Sequence, residues 1–130
     1  MFDHMGFDVA DFERSAAFYD AALAPLGVSR LYAVPKEYTG GIDVVGYGAQ
    51  RPQFWISGGG KTSGKLHVCF SARSRAEVDA FYEAAMKAGG RDNGPPGLRP
   101  HYHEHYYGAF VLDPDGFNVE AVCHTPVSED

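Results

Sequence analysis

The sequence predicts an α+β fold in which a βαβββ module occurs twice, and three observations carry that expectation. The first is a repeat within the 130-residue chain at an offset of 63 residues. Phe18-Tyr19-Asp20-Ala21-Ala22-Leu23 aligns with Phe81-Tyr82-Glu83-Ala84-Ala85-Met86, Gly27 with Gly90, Phe7 with Phe70 and His4 with His67. The second is a pair of helix starts, Asp11 and Ser74, at that same offset. Their side-chain oxygens can accept from unpaired first-turn N–H groups, and Ser74-Arg75-Ala76-Glu77 has capping-box spacing. The third is Asp113-Pro114-Asp115-Gly116, a strong turn signal between two apolar runs.

Each module then reads in order. A strand from His4 to Val9 leads into a helix with the apolar stripe Phe12, Ala16, Tyr19 and Leu23, closed near Pro25 and Gly27. Strands are expected at about 28–34, 42–48 and 53–57. Gly58-Gly59-Gly60 lacks the pattern of a phosphate loop and reads as the linker between modules. The second module opens with Leu66 to Phe70 and a helix striped by Val78, Phe81, Tyr82 and Met86, closed at Gly89-Gly90. Strands follow at about 90–92, 106–113 and 117–124, with Asn93 to His105 as a surface loop. A single domain over 1–130 is expected, with modules at about 1–60 and 64–126.

Composition excludes several functions. With 11 basic and 17 acidic residues, the formal charge is −6, which disfavours nucleic acid and anionic membranes as partners. No apolar run approaches the roughly 20 residues of a membrane helix. Asp3, Asp8, Asp11, Glu13 and Arg14 argue against a signal peptide, so a cytoplasmic protein is expected. Cys69 and Cys123 are then expected to be unbridged, on opposite faces of their sheet.

Strand alternation decides which side chains share a site. Met5, Phe7 and Val9 face one way and leave His4, Gly6 and Asp8 on the other. Leu66, Val68 and Phe70 leave His67 and Cys69. Phe117, Val119, Ala121 and Cys123 leave Asn118, Glu120, Val122 and His124. The helices must cover the apolar faces, so the opposite faces line an open, partly polar cup containing His4, His67 and Glu120. Two imidazoles and one carboxylate make a facial triad for Fe(II) and related divalent metals. Taken singly, each reads as a solvated or hydrogen-bonded strand residue; their combination on one parity carries the metal reading.

The residues His4, Val9-Ala10-Asp11, Phe18-Tyr19, Leu66-His67-Val68 and Asp113-Pro114-Asp115-Gly116-Phe117-Asn118-Val119-Glu120 resemble the glyoxalase / bleomycin-resistance / extradiol-dioxygenase superfamily, the vicinal oxygen chelate fold. The resemblance covers essentially the whole chain. It implies paired βαβββ modules in a curved mixed sheet around a divalent metal (Fe, Mn, Zn or Ni), with His4, His67 and Glu120 as ligands. It also implies a homodimer and a small oxygen-bearing substrate chelated to the metal. Two departures stand out. The strand at 53–57 offers Gln53, Trp55 and Ser57 where glyoxalase I has a fourth, carboxylate ligand, which disfavours glyoxalase I activity. Phe110 stands where extradiol dioxygenases have a catalytic tyrosine, while Tyr106 shares its parity. Thiol-transfer enzymes of the fosfomycin-resistance type also use two histidines and one glutamate, without a signature here to select them.

Around that triad, Trp55, Tyr106 and Phe110 are expected to wall the cup against an apolar part of the substrate. Arg99 could pair with a substrate carboxylate or phosphate. His103 and His124 are candidate general bases, and Tyr106 a candidate catalytic hydroxyl. Three histidines at 101, 103 and 105 invite a second metal, but loop spacing fixes no shared direction, so substrate contact or exposure is the expected role. The expected function is a metal-dependent dioxygenase, lyase or isomerase of this kind. The competing class is a non-catalytic binder of the bleomycin-resistance type, which would not need the three ligands.

Overall fold

A computed structural model describes residues 1–126. The domain expected over 1–130 therefore ends in residues that lie outside those described. Strand β1 (Met5–Asp8) leads to helix α1 (Phe12–Leu23), then β2 (Ser29–Ala33), β3 (Val44–Gly48) and β4 (Phe54–Ser57). The second half runs β5 (His67–Ser71), α2 (Arg75–Lys87), β6 (Arg91–Asp92), β7 (Gly97–Leu98), β8 (Tyr107–Leu112) and β9 (Asn118–Cys123). Two mixed sheets result, ordered β1-β4-β3-β2 and β5-β9-β8-β6, with β7 also on β8. In each, the first strand pairs parallel with the last and the remaining pairs are antiparallel. This is the expected doubled α+β plan.

The caps form as their chemistry dictates. Asp11 Oδ1 accepts from Arg14 N and Ser74 Oγ from Glu77 N, each at 3.2 Å. Glu77 turns its carboxylate to the N–H of Arg73 at 2.9 Å, one residue earlier than a reciprocal capping box would. Gly27 adopts φ 75°, a left-handed stop after the short 3-10 turn Ala24–Leu26. Its repeat mate Gly90 is needed for another reason: a Cβ there would sit 2.5 Å from Val111 and 2.9 Å from Phe18. The same residue thus serves a backbone turn in one module and close packing in the other.

One difference from expectation concerns 93–105. That segment holds β7, whose Gly97 and Leu98 pair with Gly108 and Tyr107. Pro95-Pro96 obscured it, because proline breaks strand patterns while the ladder resumes just beyond.

A single core joins the halves. Fully buried Phe18, Tyr19 and Leu23 of α1 lie with Val78, Phe81 and Ala85 of α2, against Ile56, Val111 and Val119 of the sheets. Edge-on aromatic pairs cross between modules, Phe54 with Phe70 at 5.1 Å and Phe7 with Phe117 at 5.5 Å. The Asp113–Gly116 turn adds a polar clasp. Tyr19 OH donates to Asp113 Oδ2 at 2.5 Å, and the Ala10 N–H donates to Asp115 Oδ2 at 3.0 Å. Asp113 Oδ1 accepts from the N–H groups of Asp115 and Phe117, both at 2.9 Å. Burial raises the pKa of Asp113 despite these bonds, and burial together with the Asp113 charge raises that of Tyr19.

Candidate functional site

The helices cover one face of each sheet, which leaves the other face to carry chemistry. On the second sheet, strand register aligns Cys69, Glu120 and Phe110 in one row across β5, β9 and β8. Glu120 is only 1% exposed, although it lies on the face away from the helices. Its Oε1 lies 2.8 Å from His67 Nε2, and Tyr106 OH donates to its Oε2. The His67 side chain remains 53% exposed, so one side of this pair is open to an incoming group. The Phe110 ring is 6.3 Å from the His67 ring, and the Arg99 guanidinium lies 5.5 Å from the Phe110 centroid.

Titration follows from these neighbours. Burial, then the Glu120 hydrogen bond, raises the Tyr106 pKa, so the phenol stays protonated and remains a donor. Burial and the Glu120 charge raise the Cys69 pKa as well. The thiol is therefore held protonated, and a thiol is a poor metal ligand and nucleophile. Cys69 and Cys123 are both free; Cys123 packs in the core on the opposite face.

The rest of the predicted set falls into two groups. His124 and His103 lie with the second sheet, the His124 ring 5.2 Å from Tyr106 and the His103 ring 5.3 Å from His124. His4 and Trp55 lie with the first sheet. His4 Nδ1 is 2.7 Å from Asp3 Oδ1, and Arg51 closes on Asp3 at 3.4 Å. The hydrogen bond from His4, followed by the Arg51 charge, lowers the Asp3 pKa. Asp3 and Arg51 are partners that strand parity could not find, because they precede β1 and β4; the adjacency of Asp3 to His4 was the available signal. Trp55 occupies a row with Gly6, Gly46 and Tyr32. A Cβ on Gly46 would come within 2.8 Å of the Trp55 ring, so Gly46 makes room for the indole, whereas a Cβ on Gly6 would meet Trp55 Cβ at 2.8 Å and its carbonyl oxygen at 3.0 Å.

His4 and His67 share the lining of a cavity of about 570 Å³ with Gln53 and Cys69. Within the chain, however, the triad does not converge. Among the described residues, no three His, Cys, Asp or Glu side chains come together as a metal site. This also holds for His101, His103 and His105; the last two rings are 6.4 Å apart. The structure joins His67 with Glu120 and leaves His4 on the other module's sheet.

The comparisons with known proteins fit this architecture. Residues 1–121 match the sequence model of the glyoxalase/bleomycin resistance protein/dioxygenase superfamily. The chain belongs to that superfamily. A glyoxalase/bleomycin resistance protein from Albidiferax ferrireducens shares 30% identity at a TM-score of 0.77, covering 96% of this chain and 99% of that one. A variant of the fosfomycin resistance protein FosX from Listeria monocytogenes, solved with Mn(II) and 1S,2S-dihydroxypropylphosphonic acid, is 16% identical at a TM-score of 0.72. It covers 96% of this chain and 92% of that one. A maize glyoxalase I variant is 24% identical at a TM-score of 0.67, and the match spans 93% of this chain but 46% of the maize protein. These last two likenesses are of fold. A search of curated proteins gives no match. No helix among the described residues is long and apolar enough to cross a membrane.

Proposed function

We propose that this superfamily member is a metal-dependent enzyme acting on a small substrate that presents oxygens to a divalent ion. His67 and Glu120 supply two ligands, and His4 of a second copy supplies the third. The observation that carries the reading is the His67–Glu120 pair. His67 Nε2 and Glu120 Oε1 lie 2.8 Å apart, close enough for both to reach one ion in place of the hydrogen bond they make with each other. Imidazole and carboxylate together suit Mn, Fe, Zn or Ni. His4 supports the same chemistry, since Asp3 takes Nδ1 and leaves Nε2 for a metal, as a carboxylate commonly does behind a ligating histidine.

A second copy is supported by the first sheet's open face. Half-buried Trp55 lies there against Tyr32, which is 50% exposed. A two-fold pairing that lays this face over the His67–Glu120 face would bring His4 to the pair and cover those side chains. Each homodimer then has two equivalent sites. A reducing compartment such as the cytoplasm suits the two free thiols.

When bound, the ion would act as a Lewis acid toward substrate oxygens. The chain's own residues do the rest. Tyr106 fixes Glu120 through Oε2, leaving Oε1 toward His67. Phe110 and the partner copy's Trp55 position would shield an apolar substrate wall. His124, beside Tyr106, and His103, beside His124, are the candidate proton acceptors. Gln53, Trp55 and Ser57 supply no carboxylate, so lactoylglutathione formation from methylglyoxal and glutathione is expected to be negligible with any divalent metal; robust turnover would show that another residue supplies the base.

The test is elemental analysis and Mn(II) titration of the protein with its His67→Ala and Glu120→Gln variants. One ion per chain, lost in both variants, is expected. Unchanged metal content in both overturns the assignment.

A further inference from the structure

The candidate site has an arginine at its edge that no carboxylate neutralises. Arg30, Arg51 and Arg73 each sit against an aspartate or glutamate, whereas among the described residues Arg14, Arg75, Arg91 and Arg99 have no such partner, and of these four Arg99 lies over the Phe110 ring beside His67. Its position is also fixed. The Arg99 N–H donates to Tyr106 O at 2.7 Å, and the side chain donates to the carbonyls of Gly97 and Pro95, each at 2.8 Å. The guanidinium lies over the Phe110 ring, and that ring flanks His67.

Two carbonyls use two of the five guanidinium N–H donors, which leaves a preorganised fork with capacity for an oxyanion. Gly94 and Gly97 let the guanidinium lie close against the loop backbone: a Cβ on either would stand 3.2 or 3.1 Å from a guanidinium nitrogen. A purely structural tie of the 94–99 loop would need only the two carbonyl bonds. The three N–H donors left over are not required by that tie.

We infer that the substrate of the proposed enzyme is an anion, and that its carboxylate or phosphate-like group binds Arg99 while its oxygens reach the His67–Glu120 pair. The inference rests on the metal-dependent reading for the second half only. Recognition by Arg99 is a property of the metal-free protein and can be measured there. Phe110 and Tyr106 favour an aromatic or other flat body between the two ends.

The experiment compares benzoate with benzamide, which share a ring and differ in charge, by NMR titration of the metal-free protein. Wild type is expected to prefer benzoate by roughly ten-fold, the scale of one charge-assisted contact. Arg99→Met should bring the ratio near one, and Arg99→Lys should leave an intermediate ratio, because it keeps charge without the fork. Taking the ratio within each variant removes any general loss of binding caused by a loosened loop. A wild-type ratio near one, a ratio unchanged in Arg99→Met, or no benzoate binding at tens of millimolar would overturn the inference. Mn(II) binding should be the same in wild type and Arg99→Met. If Mn(II) fails to bind while the benzoate preference holds, the metal reading alone is wrong.

Discussion

The two sheets present the same row of positions and fill it with opposite chemistry. In the first, β1, β4 and β3 contribute Gly6, Trp55 and Gly46; in the second, β5, β9 and β8 contribute Cys69, Glu120 and Phe110. Trp55 therefore stands in the structural place of Glu120. One module closes its row with an indole seated between glycines, and the other holds a buried carboxylate between an imidazole and a phenol. The helices, their caps and the shared core are nearly interchangeable by comparison. Duplicated scaffold and divergent face are the general lesson: packing constrains the covered side of each sheet, while the open side is free to specialise.

The largest expected effect comes from breaking the clasp that ties the second module to the first. Asp113→Ala removes the acceptor for Tyr19 OH and two backbone N–H groups in a buried place, and should cost about 3 kcal/mol in urea unfolding. Asp113→Asn should be milder, since an amide oxygen can still accept both backbone bonds. Because the folded pKa of Asp113 is raised, the wild-type carboxyl contributes most below its unfolded value near 3.8 and loses that contribution as pH rises through the folded value. The Asn variant should therefore gain relative to wild type with increasing pH. A relative loss would contradict the burial argument.

Next in size is the face of the first module. Gly46→Val would drive a side chain into Pro52 and the Trp55 ring, where a Cβ alone would already stand at 2.7 and 2.8 Å. A loss of roughly 2 kcal/mol is expected, with Trp55 fluorescence altered. Stability within 0.5 kcal/mol of wild type, about the size of an ordinary surface substitution, would mean the indole is not held there.

The smallest effects separate two tyrosines that align in the repeat. Tyr19 OH is bound inside the core, whereas Tyr82 OH donates to Asp92 at 3.0 Å on the surface. Tyr19→Phe should cost about 1–2 kcal/mol by stranding a buried carboxylate oxygen, and Tyr82→Phe at most about 0.5 kcal/mol. Equal effects would erase the distinction between the modules at this position.

Much of this was legible in the sequence for a physical reason. Helix caps and the period-two parity of strands are local properties, so Asp11, Ser74 and the facing of His67, Cys69 and Glu120 could be read directly. Tyr106 could be placed on the right face but not on Glu120 itself, because that contact depends on how the 99–106 loop returns to β8. The separation of His4 from His67 and Glu120 was the least legible. Parity places a side chain on a face, yet the relative placement of two faces depends on packing between sheets, which alternation does not encode. Asp3 and Arg51 were missed because they precede β1 and β4 and so carry no strand parity.

That placement is tested directly by mixing two variants. His4→Ala and Glu120→Gln are each expected to lose Mn(II) binding. If each site draws His4 from one copy and His67 with Glu120 from the other, unfolding and refolding the two variants together should restore up to about a quarter of the wild-type sites, carried by mixed dimers. A mixture that binds no more Mn(II) than the separate variants would contradict a site shared between copies.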